Sequence, residues 1–140
     1  MVTPPARPQA SAPNCQKALR TALGDKQIQF ETGKAVIHPA SYPVLDRLAT
    51  VAKKCSATDI EISGHTDSHG GLRTNMTLSK NRAQAVIHYL VKRGVPAQHL
   101  TAIAHGPTKP IANNATAVGM QKNRRVEFTI TGSRKKTLQR

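Results

Sequence analysis

An aspartate inside a glycine-rich turn and an arginine fifteen positions later are the residues best suited to chemistry in this chain. Asp67 lies in Gly64-His65-Thr66-Asp67-Ser68-His69-Gly70-Gly71, directly after the alternating run Asp59-Ile60-Glu61-Ile62-Ser63. Arg82 lies in Asn75-Met76-Thr77-Leu78-Ser79-Lys80-Asn81-Arg82-Ala83. The glycines let the backbone turn tightly and leave the carboxylate at the surface. With Ser79 read as an N-cap, Arg82 falls in the first turn of a helix, where the macrodipole disfavours a cation by about 0.3–1 kcal/mol. A local rule broken without local gain marks a functional position. Free helix amides and a guanidinium attract a carboxylate, ideally bidentately, while Asp67 attracts an ammonium. The pair therefore suits a zwitterion with both groups on one carbon. Two plainer readings compete: an intramolecular Asp67–Arg82 pair that only fixes the loop, and ordinary Asp-Gly turn chemistry.

Neighbouring residues extend this picture. Asn75, placed ahead of the helix, offers a donor and an acceptor to the same ligand, or caps a turn. Arg124 shares strand parity with Val126 and Phe128, which directs it to the cleft face, while Arg125 points the other way. His65-x-Asp67-x-His69 has the alternation of a metal constellation on an extended segment. The glycines that follow favour a turn, and no distant acid or histidine completes the set, so no metal is expected. No Gly-x-Ser-x-Gly occurs, neither cysteine has an evident histidine partner, and there are seven acids in all, so an enzyme is not expected. No cofactor is implied.

The elements that must position these residues alternate in short units. Asn14 would cap a helix over 15–23, ended by Gly24. Gln27–Phe30 reads as a short strand, Glu31–Lys34 as a turn, and His38-Pro39 as the opening of a helix carrying Leu45, Leu48, Ala49 and Ala52. Asp59–Ser63 is a second strand. Ser79 would begin the next helix, whose Ala83, Val86, Ile87, Leu90 and Val91 form an amphipathic face ended near Arg93-Gly94. Leu100–Ala104 is a third strand, and residues 106–122 are loop-rich with at most one helical turn. Arg125–Thr131 is the strongest strand, with Val126, Phe128 and Ile130 facing the core. The pattern predicts an α/β (α+β) two-layer sandwich, a small mixed sheet of about four strands packed by two to three helices.

Residues 1–13 hold four of the nine prolines and read as an extended linker. Residues 132–140 read as a basic tail, leaving 14–131 as one domain. No apolar run is long enough to span a bilayer. No basic start followed by an apolar stretch marks a signal peptide, and Met1 ahead of a proline-rich linker reads as the edge of a longer protein. Cys15 and Cys55 sit at the boundaries of predicted helices. They are either unrelated thiols or a disulfide worth about 4 kcal/mol on the chain-entropy account, which would imply an oxidising compartment. The net charge of +14 implies an anionic partner surface, such as nucleic acid, phospholipid or a carboxylate-rich polymer. Two Tyr, two Phe and no Trp leave little to stack single-stranded bases on, so nucleic acid is not the expected partner.

Several spaced blocks resemble the OmpA-like peptidoglycan-binding domain, the family that includes the C-terminal domains of OmpA, Pal and MotB. They are Phe30-Glu31-x-x-x-Ala35, Ile62-x-Gly64-His65-Thr66-Asp67-x-x-Gly70, Asn75-x-x-Leu78-Ser79-x-x-Arg82-Ala83-x-x-Val86-x-x-Tyr89-Leu90, Gly94-Val95, Gly106, Pro110-Ile111-Ala112-Asn113 and Asn123-Arg124-Arg125-Val126-Glu127-Phe128. The resemblance covers about residues 27–131. It implies the OmpA C-terminal-like fold and a non-catalytic domain that grips the cell-wall stem peptide. The ligand is chiefly diaminopimelate, whose side-chain end carries ammonium and carboxylate on one carbon. The family's binding aspartate falls on Asp67, its arginine on Arg82, its asparagine on Asn75 and the first arginine of the Asn-Arg-Arg block on Arg124, with Thr66 contributing through its backbone. Gly33 departs from the Asn or Asp common in the first loop, so backbone would replace a side-chain contact there. The Cys15–Cys55 pair and the +14 charge are not general family features.

The expectation is a periplasmic module that anchors an envelope protein to peptidoglycan. Any membrane attachment would lie upstream of the linker, and no residue pattern sets an oligomeric state. The alternative is a basic module for polyanions, either nucleic acid or lipid head groups. It predicts binding that falls steeply with salt and ignores Asp67. A metal-dependent hydrolase on His65, Asp67 and His69 is a third class.

Overall fold

The computed structural model describes residues 12–55 and 58–133. Helices α1 (Ala12–Leu23), α2 (Tyr42–Lys54), α3 (Leu72–Lys92) and α4 (Ala117–Asn123) alternate with strands β1 (Thr58–His65), β2 (Leu100–Gly106) and β3 (Arg125–Ser133). Short 3₁₀ turns at Pro39–Ser41 and Ala97–His99 lead into α2 and β2. The sheet order is β2-β1-β3, with β1 parallel to β2 and antiparallel to β3. The parallel pair requires a crossover, and α3 is that crossover.

Ile60 and Ile62 of β1, Val126 and Phe128 of β3 and Leu100 of β2 turn one sheet face inward, against Leu45, Leu48, Ala49 and Ala52 of α2 and Ala83, Val86 and Leu90 of α3. Registers Glu61↔Thr129 and Ser63↔Glu127 carry the polar positions on the opposite face, as the period of two dictates. Two layers of α/β thus stand as expected. The run Gln27–Phe30, expected as a strand, contributes only the bridge Phe30↔Ile37, so among the described residues the sheet has three strands. Ile28 still buries in the core, and burial of one side chain was the signal that resembled a strand.

Helix starts differ from expectation in three places. α1 begins at Ala12, ahead of Asn14, so Asn14 lies within the helix. Pro39 opens a 3₁₀ turn capped by the His38 side chain, and α2 follows from Tyr42. α3 begins at Leu72 after the extended Gly71, seven residues before Ser79. The stretch expected to hold at most one helical turn contains α4, of seven residues, capped by Thr116. Residues 1–11 and 134–140, most of the expected linker and tail, lie outside the described residues.

Cys15 and Cys55 form a disulfide, and both are buried. It joins the start of α1 to the end of α2, while Arg47 in the middle of α2, about two turns before the bridge, donates to the Ala22 carbonyl near the end of α1 at 3.4 Å. The two helices therefore run antiparallel. Gln16, beside the bridge, donates through Nε2 to the Phe128 carbonyl and accepts from the Ile130 amide, at 3.0 and 2.8 Å. One glutamine thereby occupies backbone groups of the edge strand β3. The closed loop spans 40 positions, so replacing both cysteines by serine should lower stability by about 4 kcal/mol. Urea unfolding of the oxidised protein against Cys15→Ser/Cys55→Ser checks this. Coincident curves would show that the bridge adds nothing to stability.

Candidate functional site

The β1–α3 crossover sets the site because the helix touches the strand through bare backbone. A Cβ on Gly64 would stand 2.2 Å from the Ser79 carbonyl oxygen, so only glycine fits there. Ser79 is wholly buried; its hydroxyl donates to the Met76 carbonyl at 2.9 Å and accepts the Gly106 amide at 3.0 Å. It links α3 to β2 where the sequence had suggested a cap. Asn75 and Arg82 lie four residues before and three after Ser79, on the same helix face. The loop after β1 brings Thr66 and Asp67 opposite that face.

These side chains line a cleft of about 850 Å³ between the β1–α3 loop, the 27–33 segment and the α4–β3 junction. Asp67, Thr66, Asn75, Arg82 and Arg124 all border it. Asp67 is buried and bonded through both oxygens. Oδ1 accepts the His69 amide at 2.8 Å, and Oδ2 pairs with Arg124 Nη1 at 2.5 Å. Thr66 hydroxyl donates to the Asp67 carbonyl and its amide to the Gly106 carbonyl, at 2.8 and 2.9 Å. Asn75 Nδ2 donates to the His69 carbonyl at 2.8 Å, bracing the turn from the helix side.

Arg82 is not in the first turn of its helix, since α3 starts ten residues earlier at Leu72. The macrodipole penalty expected for it therefore does not apply. Nor does it pair with Asp67. Its Nε donates to the Lys34 carbonyl at 2.9 Å and its guanidinium lies 4.9 Å from the centre of the Phe30 ring. Burial pushes the Arg82 pKa down, the Arg124 charge adds to this and Asp67 opposes it. Arg124, at the end of α4, is the partner of Asp67, and its Nη2 is held by Gln121 Oε1 at 2.7 Å. Arg125 is directed to Glu127 Oε2 and to the Asn123 and Lys109 carbonyls.

Sequence reasoning assigned no role to four supports of the cleft: Phe30, Lys34, Gln121 and Asn123. Asn123 is fully buried; Oδ1 accepts the Ile111 and Ala112 amides, while Nδ2 donates to the Ala112 carbonyl and Asn114 Oδ1. It fastens the 111–114 loop beside the Arg124 junction. An asparagine directly ahead of two arginines was the available signal. His65, Asp67 and His69 go to different partners, and no three His, Cys, Asp or Glu among the described residues are placed to hold one ion. His65 is buried and stacks on His105, with ring centres 4.9 Å apart. His69 is exposed.

A two-layer α/β domain with a cationic cleft at its strand-to-helix crossover is thus the class that fold and site define. Residues 29–124 match the OmpA family, and this chain belongs to it. Over 128 residues it is 40% identical to the peptidoglycan-binding protein ArfA of Mycobacterium tuberculosis, covering 90% of this chain and 39% of ArfA. The chain therefore spans about two fifths of that relative. It superposes on the C-terminal domain of Helicobacter pylori MotB with a TM-score of 0.71 at 28% identity, covering 79% of this chain and 87% of that one. The cell wall anchor of the type VI secretion system (T6SS) from Pseudomonas aeruginosa aligns with a TM-score of 0.65 at 34% identity, covering 72% and 73%.

His65 makes stability at this site pH-dependent. Neither ring nitrogen has a hydrogen-bond partner among the described residues. Burial first, then Arg125, lowers its pKa from 6.5 to about 4, although Glu127 lies 3.5 Å away and pulls the other way. The folded protein thus refuses a proton that the unfolded chain accepts, and stability falls as pH drops from about 6.5 to about 4. The full loss is about 3 kcal/mol. Burial pushes the Glu127 carboxyl up, but Arg125 outweighs it and holds the group below 4.5, so Glu127 adds its own loss only at lower pH. Urea midpoints between pH 7.5 and 4.5 should decline in the wild type and flatten in His65→Gln. Equal declines in both would place the proton elsewhere.

Proposed function

We propose that this domain binds the stem peptide of peptidoglycan without catalysis, at the diaminopimelate end that carries ammonium and carboxylate on one carbon. The observation that carries the reading is the gathering of Asp67, Asn75, Arg82 and Arg124 around one cleft in an OmpA-family chain. Among the described residues, Asp67 is the only carboxylate in the cleft lining, and it takes the ammonium. Arg82 keeps its two terminal nitrogens free of hydrogen bonds to described residues and takes the carboxylate, with the Phe30 ring and the Lys34 carbonyl fixing its plane. Asn75 has an amide oxygen left to accept, since its nitrogen holds the turn. Thr66 serves through the backbone order it gives Asp67.

The names of two relatives support the cell wall as the partner: ArfA is a peptidoglycan-binding protein and the Pseudomonas aeruginosa structure is a cell wall anchor. On this reading residues 14–131 are the wall-binding unit of an envelope protein. The unit faces the periplasm, where the Cys15–Cys55 bridge is stable.

Calorimetric titration with a diaminopimelate-containing tripeptide tests the proposal. Asp67→Ala and Arg82→Ala should each weaken binding by about 2–5 kcal/mol, at least about thirty-fold, because a ligand charge is left unpaired. Binding that is absent in the wild type, or equal in wild type and Asp67→Ala, overturns it. A polyanion module would instead bind charge-matched DNA as well as wall peptide.

A further inference from the structure

The charges of the cleft do not cancel. Among the described residues its lining holds one carboxylate, Asp67, and three guanidiniums, Arg82, Arg124 and Arg125. Glu127 offsets Arg125 from just outside, and Arg124 offsets Asp67. Arg82 is left with a backbone carbonyl and an aromatic face but no anion. The excess of one positive charge sits on a buried side chain, where it is least screened.

The two arginines beside Asp67 differ in freedom. Arg82 is 9% exposed and locked against Lys34 and Phe30. The Arg124 side chain is 40% exposed, leaves the end of α4 and keeps a second tether to Gln121 when it lets go of Asp67. The Asp67 side chain is only 11% exposed and has Oδ1 on the His69 amide, so a ligand ammonium that takes Oδ2 displaces Arg124. With a zwitterion bound, its carboxylate offsets Arg82 and its ammonium offsets Asp67, so the freed Arg124 guanidinium carries the excess positive charge. A ligand bearing a second carboxylate removes that excess.

We propose that Arg124 is a counter-ion exchange residue that selects ligands with a second carboxylate. It rests on Asp67 in the free protein and moves to that second carboxylate when the ligand's ammonium takes Asp67. This rests on the reading of the cleft under Proposed function and adds a charge requirement to it: one ammonium and two carboxylates, with amidated ligands discriminated against.

The test compares two synthetic peptides: the diaminopimelate tripeptide, and the same peptide with every carboxyl except that on the ammonium-bearing carbon converted to a carboxamide. Amidation should weaken binding to the wild type at least ten-fold and to Arg124→Gln less than three-fold. The side-chain NMR resonance of Arg124 in the wild type should move to different positions with the two peptides, a readout independent of how well the variant folds. An equal amidation factor in both proteins, or one bound position of the Arg124 resonance for both peptides, overturns the inference. The reading of the cleft then still stands, because the parent peptide binds and still needs Asp67. If the parent peptide fails to bind the wild type, both fall.

Discussion

A backbone-to-backbone contact between β1 and α3 governs this structure. Because Gly64 has no side chain, the Ser79 carbonyl can lie where a Cβ would be, and the middle of α3 is seated on the end of β1. The seat fixes the axial position of α3 and hence of every group on its inward stripe. That stripe changes character along its length. Its buried residues are Asn75, Ser79 and Arg82 in the first half and Ala83, Val86 and Leu90 in the second. One continuous helix face thus builds the ligand cleft at one end and closes the hydrophobic core at the other.

That change of character explains which parts of the fold were legible in the sequence. Pattern reading equates burial with apolar side chains, so the start of α3 was placed at Ser79, where the apolar rhythm of Ala83, Val86 and Leu90 begins. The first two turns bury polar groups instead, and their rhythm was invisible. The same cause hid α4, a short helix with only Gly119 and Asn123 buried among its seven residues. By contrast β3 and the positions Ala83, Val86 and Leu90 of α3, whose burial is apolar, matched their alternations, although Val91, expected on the same helix face, is exposed. The misplaced start had one consequence for the site. The reasoning that singled out Arg82 as a cation in a first helical turn is not the physics that holds it, which is burial beside Phe30 and the Lys34 carbonyl. The residue types nevertheless pointed to side chains that line one cleft, since an arginine on a core-facing helix position needs an anion or a carbonyl wherever the helix begins. The Asp67–Arg124 contact joins positions 57 apart, and nothing local specifies it: Arg124 precedes β3 at the end of α4, so the strand parity expected for it does not apply, and Arg125 borders the same cleft.

The basic composition looks different once partners are assigned. Asp46, Asp67 and Glu127 are each paired with an arginine. Much of the scarce negative charge is thus spent internally, and the exposed lysines and arginines stand largely unopposed. Such a surface attracts anions over a Debye length of about 8 Å without sequence or shape preference. It can speed encounter with an anionic wall. Discrimination has to come from the cleft, where Phe30, Gln121, Asn123 and the Gly64 seat hold charges at fixed positions.

The self-paired state of Asp67 and Arg124 follows from the same economy of acids. A buried carboxylate left without a partner in the free protein would be costly, so the cleft must supply an internal cation until a ligand arrives. The tether to Gln121 lets that cation leave without being lost to solvent, and the half-exposed position of Arg124 keeps its release inexpensive. On the exchange proposed for Arg124, ligand binding is a swap of ion pairs. Its net free energy is the difference between Asp67 with an ammonium and Asp67 with a guanidinium, plus whatever Arg124 gains at its new position. The two pairs are not equivalent, because Arg124 is released towards solvent and keeps Gln121, whereas an ammonium desolvated in the cleft depends on Asp67 for its counter-charge. Asp67 therefore contributes to affinity alongside Arg82 and the destination of Arg124, and removing it costs the ligand more than it costs the arginine.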